Sequence, residues 1–490
     1  MIFRGETPDD LFKRIKALYE EGKKIDSKVF KADITLSPVE TQTIVKYFQR
    51  INLSKTDLDS KGKAFETFMG SYFRGDFGQY FTPRPIVKFI VESLPINHKS
   101  RVLDTSCGSG GFLLYALDKV RQQASEFYDE NSIGHFRHWH DFAEKNLFGI
   151  EINEQIARTA KMNMIIHDDG HTNVISSDGL LSDTEIQTQN TEFRYGTFDF
   201  IITNPPFGSS IKQTEKAYLH QYQLGKKEED WLAVKALKET IRDSQSTEVL
   251  FIEQCHNFLA EGGYLAIVIP DGILANSSLQ YVRDNIEEMF RIVAVVSMPQ
   301  TAFTATGAGV KSSVLFLRKN RQKMQERITV QKLKLKEQIK TDANYIAIID
   351  KWEKEKTDAI KALEKRAKKE NPDFNKKQIS EIIQAEKSEI QAAFTDKVNL
   401  LKEELTEKYL TQKQRMLDDY PIFMAIAEDI GYDATGRPTN NNELVDIEAE
   451  LSRFIEYINP HCSFPLKNQQ ISRKLSREIA YFRGIKSVNT

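Results

Sequence analysis

The residues best suited to chemistry are Asn204, Pro205, Pro206 and Phe207, which directly follow the apolar run FDFIIT. Two successive prolines stiffen the backbone at this point, because each ring fixes φ. The Asn204 side-chain oxygen and the Pro205 carbonyl can accept two hydrogen bonds from one NH₂ group, and Phe207 offers a flat apolar face to a planar ring. The pattern predicts methylation of an exocyclic amine, because two acceptors draw the nitrogen out of conjugation and leave its lone pair facing a methyl donor.

A second candidate site is the turn DTSCGSGG, in which Asp104 ends an apolar run and the glycines lead into a helical stretch. Glycines permit positive φ and let a ligand approach the backbone closely. The turn lacks the Lys-Ser/Thr ending of a phosphate-binding loop. It also lacks the full dinucleotide fingerprint, because the next acid at a strand end, Glu151, lies 41 residues after Gly110 and not about 20. From these residues alone a nucleotide, a dinucleotide and S-adenosylmethionine all stay open.

Both candidates lie in residues 76–320, where short apolar runs alternate with helical stretches. This alternation predicts an α/β fold: a Rossmann-like, mostly parallel sheet covered on both faces. Asp104, Glu151, Asp178 and Asn204 each come at or just after the end of an apolar run. Because ligands of such sheets bind at the carboxyl ends of the strands, we expect these four side chains at one edge of the sheet.

The flanking segments have other patterns. Residues 1–75 are predicted to be helical and 416–490 to form a C-terminal helical tail. Residues 321–410 contain no glycine and one proline, in a turn pattern at 371–375 that separates two stretches with apolar residues at helical spacing. This predicts a long antiparallel coiled-coil hairpin over 321–415, inserted as an arm for a partner or DNA, with a solvated spacer as the alternative.

The composition excludes several classes of protein. The 490 residues include 68 basic and 70 acidic side chains, so no overall positive field attracts nucleic acid. Three widely separated cysteines argue against a disulfide framework, and the spacing of His135, His138 and His140 does not form a closed zinc site, so no metal is expected. Without an apolar run of about 18 residues or a signal peptide, the sequence predicts a cytoplasmic protein with no membrane span.

The order of the motifs resembles that of the N6-adenine DNA methyltransferases, most closely the modification subunits of type I restriction-modification systems. GQYFTPR at 78–84 matches the opening motif of that family, and the glycine turn, LFGIEIN, SSDGL and NPPF follow in the family order. Two departures stand out: only 77 residues precede Gly78, and the insertion after residue 320 is longer than the family leads us to expect.

This resemblance implies S-adenosylmethionine as the cofactor and assigns a role to each matching residue. Gln79, Tyr80, Phe81, Thr82, Pro83 and Arg84 would line its methionine side, and Asp104, Ser109, Gly110 and Gly111 would wrap it at the sheet. Glu151 would bind the ribose hydroxyls and Asp178 the adenine edge. The NPPF residues 204–207 would hold a target adenine flipped out of the duplex, since a stacked base cannot reach a buried cofactor.

The resemblance also implies partners. Double-stranded DNA would be the substrate, and a separate specificity subunit would choose the target, because no helix-turn-helix or zinc-finger spacing appears in the chain. A restriction subunit with nuclease and translocase activity and a second modification subunit could complete the assembly. Two alternatives stay open: methylation of another nitrogen, such as cytosine N4, RNA adenine or protein glutamine, and a non-catalytic assembly scaffold.

Overall fold

The structure, a computed structural model, describes residues 2–25, 27, 29–51, 82–167, 173–212, 216–227, 230–233, 240–304, 309–416 and 420–459. The chain divides into two compact units, each built from separate stretches of sequence. The first unit comprises Met1–Lys226, Ile241–Asn320 and Ile422–Thr490. The second comprises Lys227–Thr240 and Arg321–Pro421.

The first unit contains all of the strands that the structure describes. In chain order they are β1 (Val102–Asp104), β2 (Leu147–Glu151), β3 (Asn173–Ser176), β4 (Phe198–Thr203), β5 (Ser210–Lys212), β6 (Ser244–Ser246), β7 (Leu259–Pro270), β8 (Phe290–Ser297), β9 (Ser312–Lys319), β10 (Phe423–Ile426), β11 (Ile430–Tyr432) and β12 (Pro438–Asn442). Eight of them form one sheet in the order β10-β8-β9-β7-β4-β1-β2-β3. Only β9 runs antiparallel to its neighbours β7 and β8, so the predicted mostly parallel α/β sheet is confirmed.

Helices connect these strands. The α-helices of the first unit are Pro8–Ile25, Pro38–Phe48, Arg84–Ser93, Gly111–Phe127, Ile133–Asn146, Glu154–Ile166, Asp183–Ile186, Lys216–Gln221, Thr247–Phe258, Asp271–Ala275, Gln280–Met289 and Leu444–Ile458. Short 3₁₀ turns occur at Gln223–Gly225 and Ser277–Leu279. No described helix combines the length and the apolar character that crossing a bilayer requires.

The central strands are buried on both faces, which explains why they read as continuous apolar runs. Along β1, Val102 belongs to one apolar cluster and Leu103 to a second one. Along β4, Ile201 and Ile202 divide between the same two clusters. Because successive side chains of a strand point to opposite faces, the two clusters are the cores on the two sides of the sheet.

The C-terminal segment differs from the predicted helical tail. Phe423–Ile426 forms β10, which pairs in parallel with β8 at the edge of the main sheet. β11 and β12 then form a two-stranded ladder, and only Leu444–Ile458 is helical among the described residues from 420 onward. Gly431, within β11, and Gly436, between β11 and β12, have φ of 89° and 80°, which an α-helix does not accommodate.

The N-terminal region contains the helices Pro8–Ile25 and Pro38–Phe48. The second begins with a capping box, in which Ser37 and Glu40 satisfy each other's backbone amides. The remainder of the predicted helical stretch, 52–75, lies outside the described residues.

The second unit is helical. Its helices are Gln322–Asp342, Tyr345–Glu370, Lys376–Ile382 and Gln384–Met416, and the chain folds back on itself at 371–375. Ile339 and Ile349 pack with Leu405 in one apolar cluster. Asn344, between the helices Gln322–Asp342 and Tyr345–Glu370, has a left-handed φ of 50° and so separates them. The coiled-coil geometry expected for this insertion stays a prediction.

The short segment Lys227–Thr240 belongs to the same unit. The buried hydroxyl of Tyr345 donates to the Leu232 carbonyl at 2.7 Å, and Lys402 forms an ion pair with Asp230. The ring of Trp231 lies 5.6 Å from that of Tyr409. Two insertions that are far apart in sequence therefore share one apolar core.

Lys119 is expected to be important for the stability of the first unit. It is buried, and its ammonium donates to the carbonyls of Val91, Glu92 and Leu94 at 2.7–3.0 Å, where the helix Arg84–Ser93 ends. Lys119→Met should lower the free energy of unfolding by about 2–4 kcal/mol, because those carbonyls lose their donor. Lys88→Met, on the exposed side of that helix, should change it by less than about 0.5 kcal/mol in the same urea titration. Equal stability of both variants would contradict this role.

Candidate functional site

Four neighbouring strands, β3, β2, β1 and β4, bring the predicted acids and the asparagine to one edge of the sheet. Asp104 ends β1 and Glu151 ends β2, while Asn204 immediately follows β4. Asp178 comes two residues after β3. The parallel pairing of these strands places all four positions at the carboxyl ends, as the sequence predicts.

The glycine turn opens a space beside Asp104. Gly108 and Gly110 have φ of 52° and 85°, and Gly110 caps the helix Gly111–Phe127. A Cβ added to Gly108 would have no heavy atom within 4 Å, so this part of the turn faces open space. Ser109 is buried, and its carbonyl accepts a hydrogen bond from Asn163 at 2.9 Å, which fixes the turn against the helix Glu154–Ile166.

Glu151 is buried and held by two backbone amides. Its Oε2 accepts from the amide of Gly108 at 3.1 Å, and its Oε1 accepts from that of Asn153 at 2.9 Å. The carboxylate is thereby oriented before any ligand binds. An ionised carboxylate only accepts hydrogen bonds, so this group suits a ligand that carries donors.

Asp104 is buried and only partly satisfied. Its Oδ1 accepts from the Ser106 amide at 3.1 Å, whereas its Oδ2 has no hydrogen-bond partner among the described residues. Burial raises the pKa of Asp104 to about 7. The Ser106 amide and the nearby Thr203 hydroxyl oppose this rise, and the charge of Glu151 adds to it. An orphaned buried acceptor is uncommon in proteins, and a donor or a cation supplied by a ligand would satisfy it.

Asp178 begins a tightly packed turn. Its Oδ1 accepts from the Leu180 amide at 2.9 Å, and the Leu180 carbonyl accepts from the hydroxyl of Tyr222 at 2.7 Å. A Cβ added to Gly179 would lie 2.4 Å from the Thr105 carbonyl oxygen, so the turn after β3 passes directly against the turn after β1.

Asn204 offers one free acceptor. Its Nδ2 donates to the hydroxyl of Thr82 at 2.9 Å, while its buried Oδ1 has no partner among the described residues. Pro205 is buried, and Phe207 is half-buried with one side packed on an apolar core cluster. The arrangement can accept hydrogen bonds from an amine and stack a planar ring.

Hydroxyl groups that the sequence analysis did not single out hold this loop. Thr247 donates to the Pro206 carbonyl at 2.9 Å, and its amide donates to Ser209. Behind the loop, Ser106 and Thr203 form a hydrogen bond of 2.8 Å between the turn after β1 and the end of β4. Isolated threonines and serines carry no recognisable spacing, so no sequence pattern points to them.

The remaining predicted residues divide into two groups. Pro83 precedes the helix Arg84–Ser93 and acts as its N-cap, and Arg84 is its first residue. Gln79, Tyr80 and Phe81 lie outside the described residues. On the helix Ile133–Asn146, side-chain atoms of His140, Asp141 and Glu144 that could bind a metal ion lie within 4.8 Å of one another, and the group is largely exposed.

Comparison with known proteins finds relatives that are methyltransferases or methylase subunits of restriction enzymes. The type II restriction enzyme and methyltransferase RM.BcgI of Heyndrickxia coagulans is 28% identical over 272 residues, which cover 52% of this chain and 36% of that protein. The type I restriction enzyme EcoKI methylase subunit of Escherichia coli K12 is 26% identical over 255 residues, 49% of this chain and 40% of the relative. The type I restriction enzyme MjaIX methylase subunit of Methanocaldococcus jannaschii is 23% identical over 326 residues, 65% of this chain and 52% of that protein.

The chain thus spans about half or less of the length of these relatives. A sequence model of the family described as N-6 DNA Methylase matches residues 56–400. That range contains the glycine turn, both strand-end acids and the asparagine loop, and it exceeds half of the chain. The chain therefore belongs to the N-6 DNA methylase family.

Proposed function

We propose that this chain is a DNA adenine N6-methyltransferase that uses S-adenosylmethionine and acts as the modification subunit of a restriction-modification system. The observation that carries the proposal is the free, buried Oδ1 of Asn204 at the same sheet edge as Asp104 and Glu151. Family membership supports the reaction type, and the names of the relatives support the restriction system.

The asparagine loop has the chemistry that an exocyclic amine needs. Oδ1 of Asn204 and the carbonyl of Pro205 would accept the two N–H groups of the adenine amine, and the half-buried Phe207 would stack on the ring. With both N–H groups engaged, the nitrogen lone pair is withdrawn from the ring and becomes nucleophilic. The surplus proton leaves after attack, so no strong base is required in the loop.

The residues at the glycine turn fit S-adenosylmethionine. Glu151 would bind the ribose hydroxyls, the orphaned carboxylate oxygen of Asp104 would take a donor or the cationic end of the cofactor, and Asp178 would bind the adenine edge. The open space at Gly108 admits a ligand next to the backbone. When bound, the cofactor supplies a methyl group on a sulfonium, which requires no metal.

Glu151→Gln is expected to weaken cofactor binding by roughly ten- to a hundredfold, because the neutral amide loses a charge-assisted hydrogen bond to the ribose. Isothermal calorimetry with S-adenosylmethionine or its demethylated product measures this directly. Glu154→Gln is the matched control, since that carboxylate is exposed and pairs with Lys31 and Arg158. If the Glu151 variant binds the cofactor as tightly as the wild type, another residue binds the ribose.

We further propose that double-stranded DNA is the substrate and that a separate specificity subunit selects the site. The near-neutral net charge of the chain supports this division, because it gives no overall positive field for DNA and a partner subunit would supply the basic surface. The helical insertion would be an arm toward DNA or a partner. A restriction subunit and a second modification subunit would complete the assembly in the cytoplasm, where its DNA is.

Sequencing that detects modified bases tests the proposal in the organism that carries the chain. DNA from cells with the intact chain should contain N6-methyladenine within one recurring sequence, and DNA from an Asn204→Ala strain should lack it at those sites. If the modification that the Asn204→Ala strain loses is N4-methylcytosine and not N6-methyladenine, the substrate is cytosine. Identical modification in both strains would overturn the proposed function.

A further inference from the structure

Thr82 makes the hydrogen bond that defines the orientation of the Asn204 amide. The distance from Asn204 Nδ2 to Thr82 Oγ1 is 2.9 Å, across 122 residues of sequence. Among the described residues, no other side chain bonds to this amide, and its Oδ1 stays buried without a partner. The donor end of the amide is thus occupied while its acceptor end is left for a ligand.

The hydroxyl of Thr82 is presented by a rigid part of the first unit. Thr82 directly precedes Pro83, the N-cap of the helix Arg84–Ser93, and Pro85 stiffens the first turn. Most apolar side chains of this helix are fully buried, and Lys119 binds the carbonyls at its other end. The two prolines and the buried helix that follows them limit the freedom of the Thr82 backbone.

The orientation matters because the two ends of an amide are chemically opposite. Oδ1 accepts a hydrogen bond from an amine, whereas Nδ2 would place its own hydrogens against those of the amine. A side chain free to rotate would present the acceptor only part of the time and at varying angles. A fixed partner on Nδ2 removes that freedom, and correct prior orientation is a large part of catalysis by polar groups.

We propose that Thr82 is a positioning residue that holds the Asn204 amide with its oxygen toward the target amine, an inference that rests on the proposed function. The family resemblance gives Thr82, like its neighbours in the opening motif, to the cofactor, and the present proposal gives its hydroxyl a different role. The Thr82 hydroxyl acts on the target amine through Asn204, and the cofactor is held by Asp104, Glu151 and the glycine turn.

The test compares Thr82→Val, which removes the hydroxyl at constant shape, with Thr82→Ser, which keeps it. Thr197→Val is the matched control, because the hydroxyl of this half-buried residue donates to the carbonyl of Arg194, three residues earlier in the chain. Each tagged chain is purified with its native partners, and DNA from the Asn204→Ala strain, whose sites are unmodified, is the substrate. Single-turnover methylation and calorimetric binding of the demethylated cofactor are measured for every variant.

Thr82→Val should slow the single-turnover rate roughly five- to a hundredfold, because a buried amide donor loses its partner. Cofactor affinity should stay within about threefold, which is less than the loss of one hydrogen bond. Thr82→Ser should recover most of the rate, and Thr197→Val should match the wild type. A Thr82→Val variant with normal turnover, or one that loses cofactor affinity in place of rate, would overturn the proposal.

Crystal structures of the wild type and of both Thr82 variants give a readout that needs no activity. The Asn204 side chain should keep its torsion angles in Thr82→Ser and change them in Thr82→Val. An unmoved Asn204 in Thr82→Val overturns the positioning role even if the enzyme methylates DNA. If Asn204 moves in Thr82→Val but the wild-type protein methylates no DNA, the positioning role of Thr82 stands and only the proposed function is overturned.

Discussion

Asn204→Ala is expected to lower the rate of methyl transfer roughly a hundred- to a thousandfold or more, the range for losing one preorganised polar group in an active site. The alanine removes the buried Oδ1 that would accept the target amine and leaves the glycine turn untouched. Cofactor affinity should therefore stay near that of the wild type. Single-turnover methylation and calorimetry on the same preparation measure both quantities.

Two further variants sharpen this result. Asn204→Asp keeps an acceptor and can receive a hydrogen bond from the Thr82 hydroxyl, so it should retain more activity than the alanine variant. Asn131→Ala, at an exposed position, should behave like the wild type. Wild-type turnover in Asn204→Ala would show that the loop takes no part in the reaction. Loss of cofactor affinity in that variant would show that Asn204 binds the cofactor.

Asp104→Asn is expected to make the first unit more stable at pH 8 while weakening its hold on the cofactor. Burial raises the pKa of Asp104 from 3.8 to about 7. Between these values the folded chain keeps a proton that the unfolded chain has released, so the wild type loses stability as pH rises through this window. The neutral asparagine does not have to ionise inside the protein, so the variant avoids this loss of stability. A buried acid that binds a ligand at the expense of stability is a common compromise between stability and function.

The size of the effect follows from the shift. Relative to the wild type, Asp104→Asn should gain roughly 2–3 kcal/mol more unfolding free energy at pH 8 than at pH 5. Urea titrations at the two pH values give the difference, and Asp129→Asn, at an exposed position, is the control. A gain that is equal at both pH values would mean that Asp104 is not a buried charge.

The sequence predicted the central sheet and its reactive edge because each strand there is a short apolar run that ends in a polar residue. The Asn-Pro-Pro-Phe loop and the glycine turn each consist of consecutive residues, so both can be recognised in a single sequence. The bond between Thr82 and Asn204 joins positions 122 residues apart, and Thr247 supports the loop from 41 residues beyond Pro206. Contacts of this kind depend on the completed fold and leave no spacing to read.

The helical tail predicted for 416–490 does not include the C-terminal strands for a related reason, although the pattern at 420–439 fitted either a helix or an edge strand. Phe423–Ile426 is four residues long and forms a strand only because β8, more than a hundred residues earlier, offers a free edge. In isolation its apolar residues fit a helix as well. The segment Lys227–Thr240 was likewise invisible as a structural element, since its apolar partners Tyr345 and Tyr409 belong to the distant insertion.

The shared core of Lys227–Thr240 and Arg321–Pro421 has a consequence for how such genes can recombine. Trp231 and Leu232 pack with apolar side chains that are encoded more than a hundred codons downstream. A crossover between related genes that falls within the intervening codons would join one insertion to a foreign counterpart and leave mismatched surfaces. Exchange should therefore be tolerated when both insertions come from the same parent, and chimaeras that separate them should express poorly.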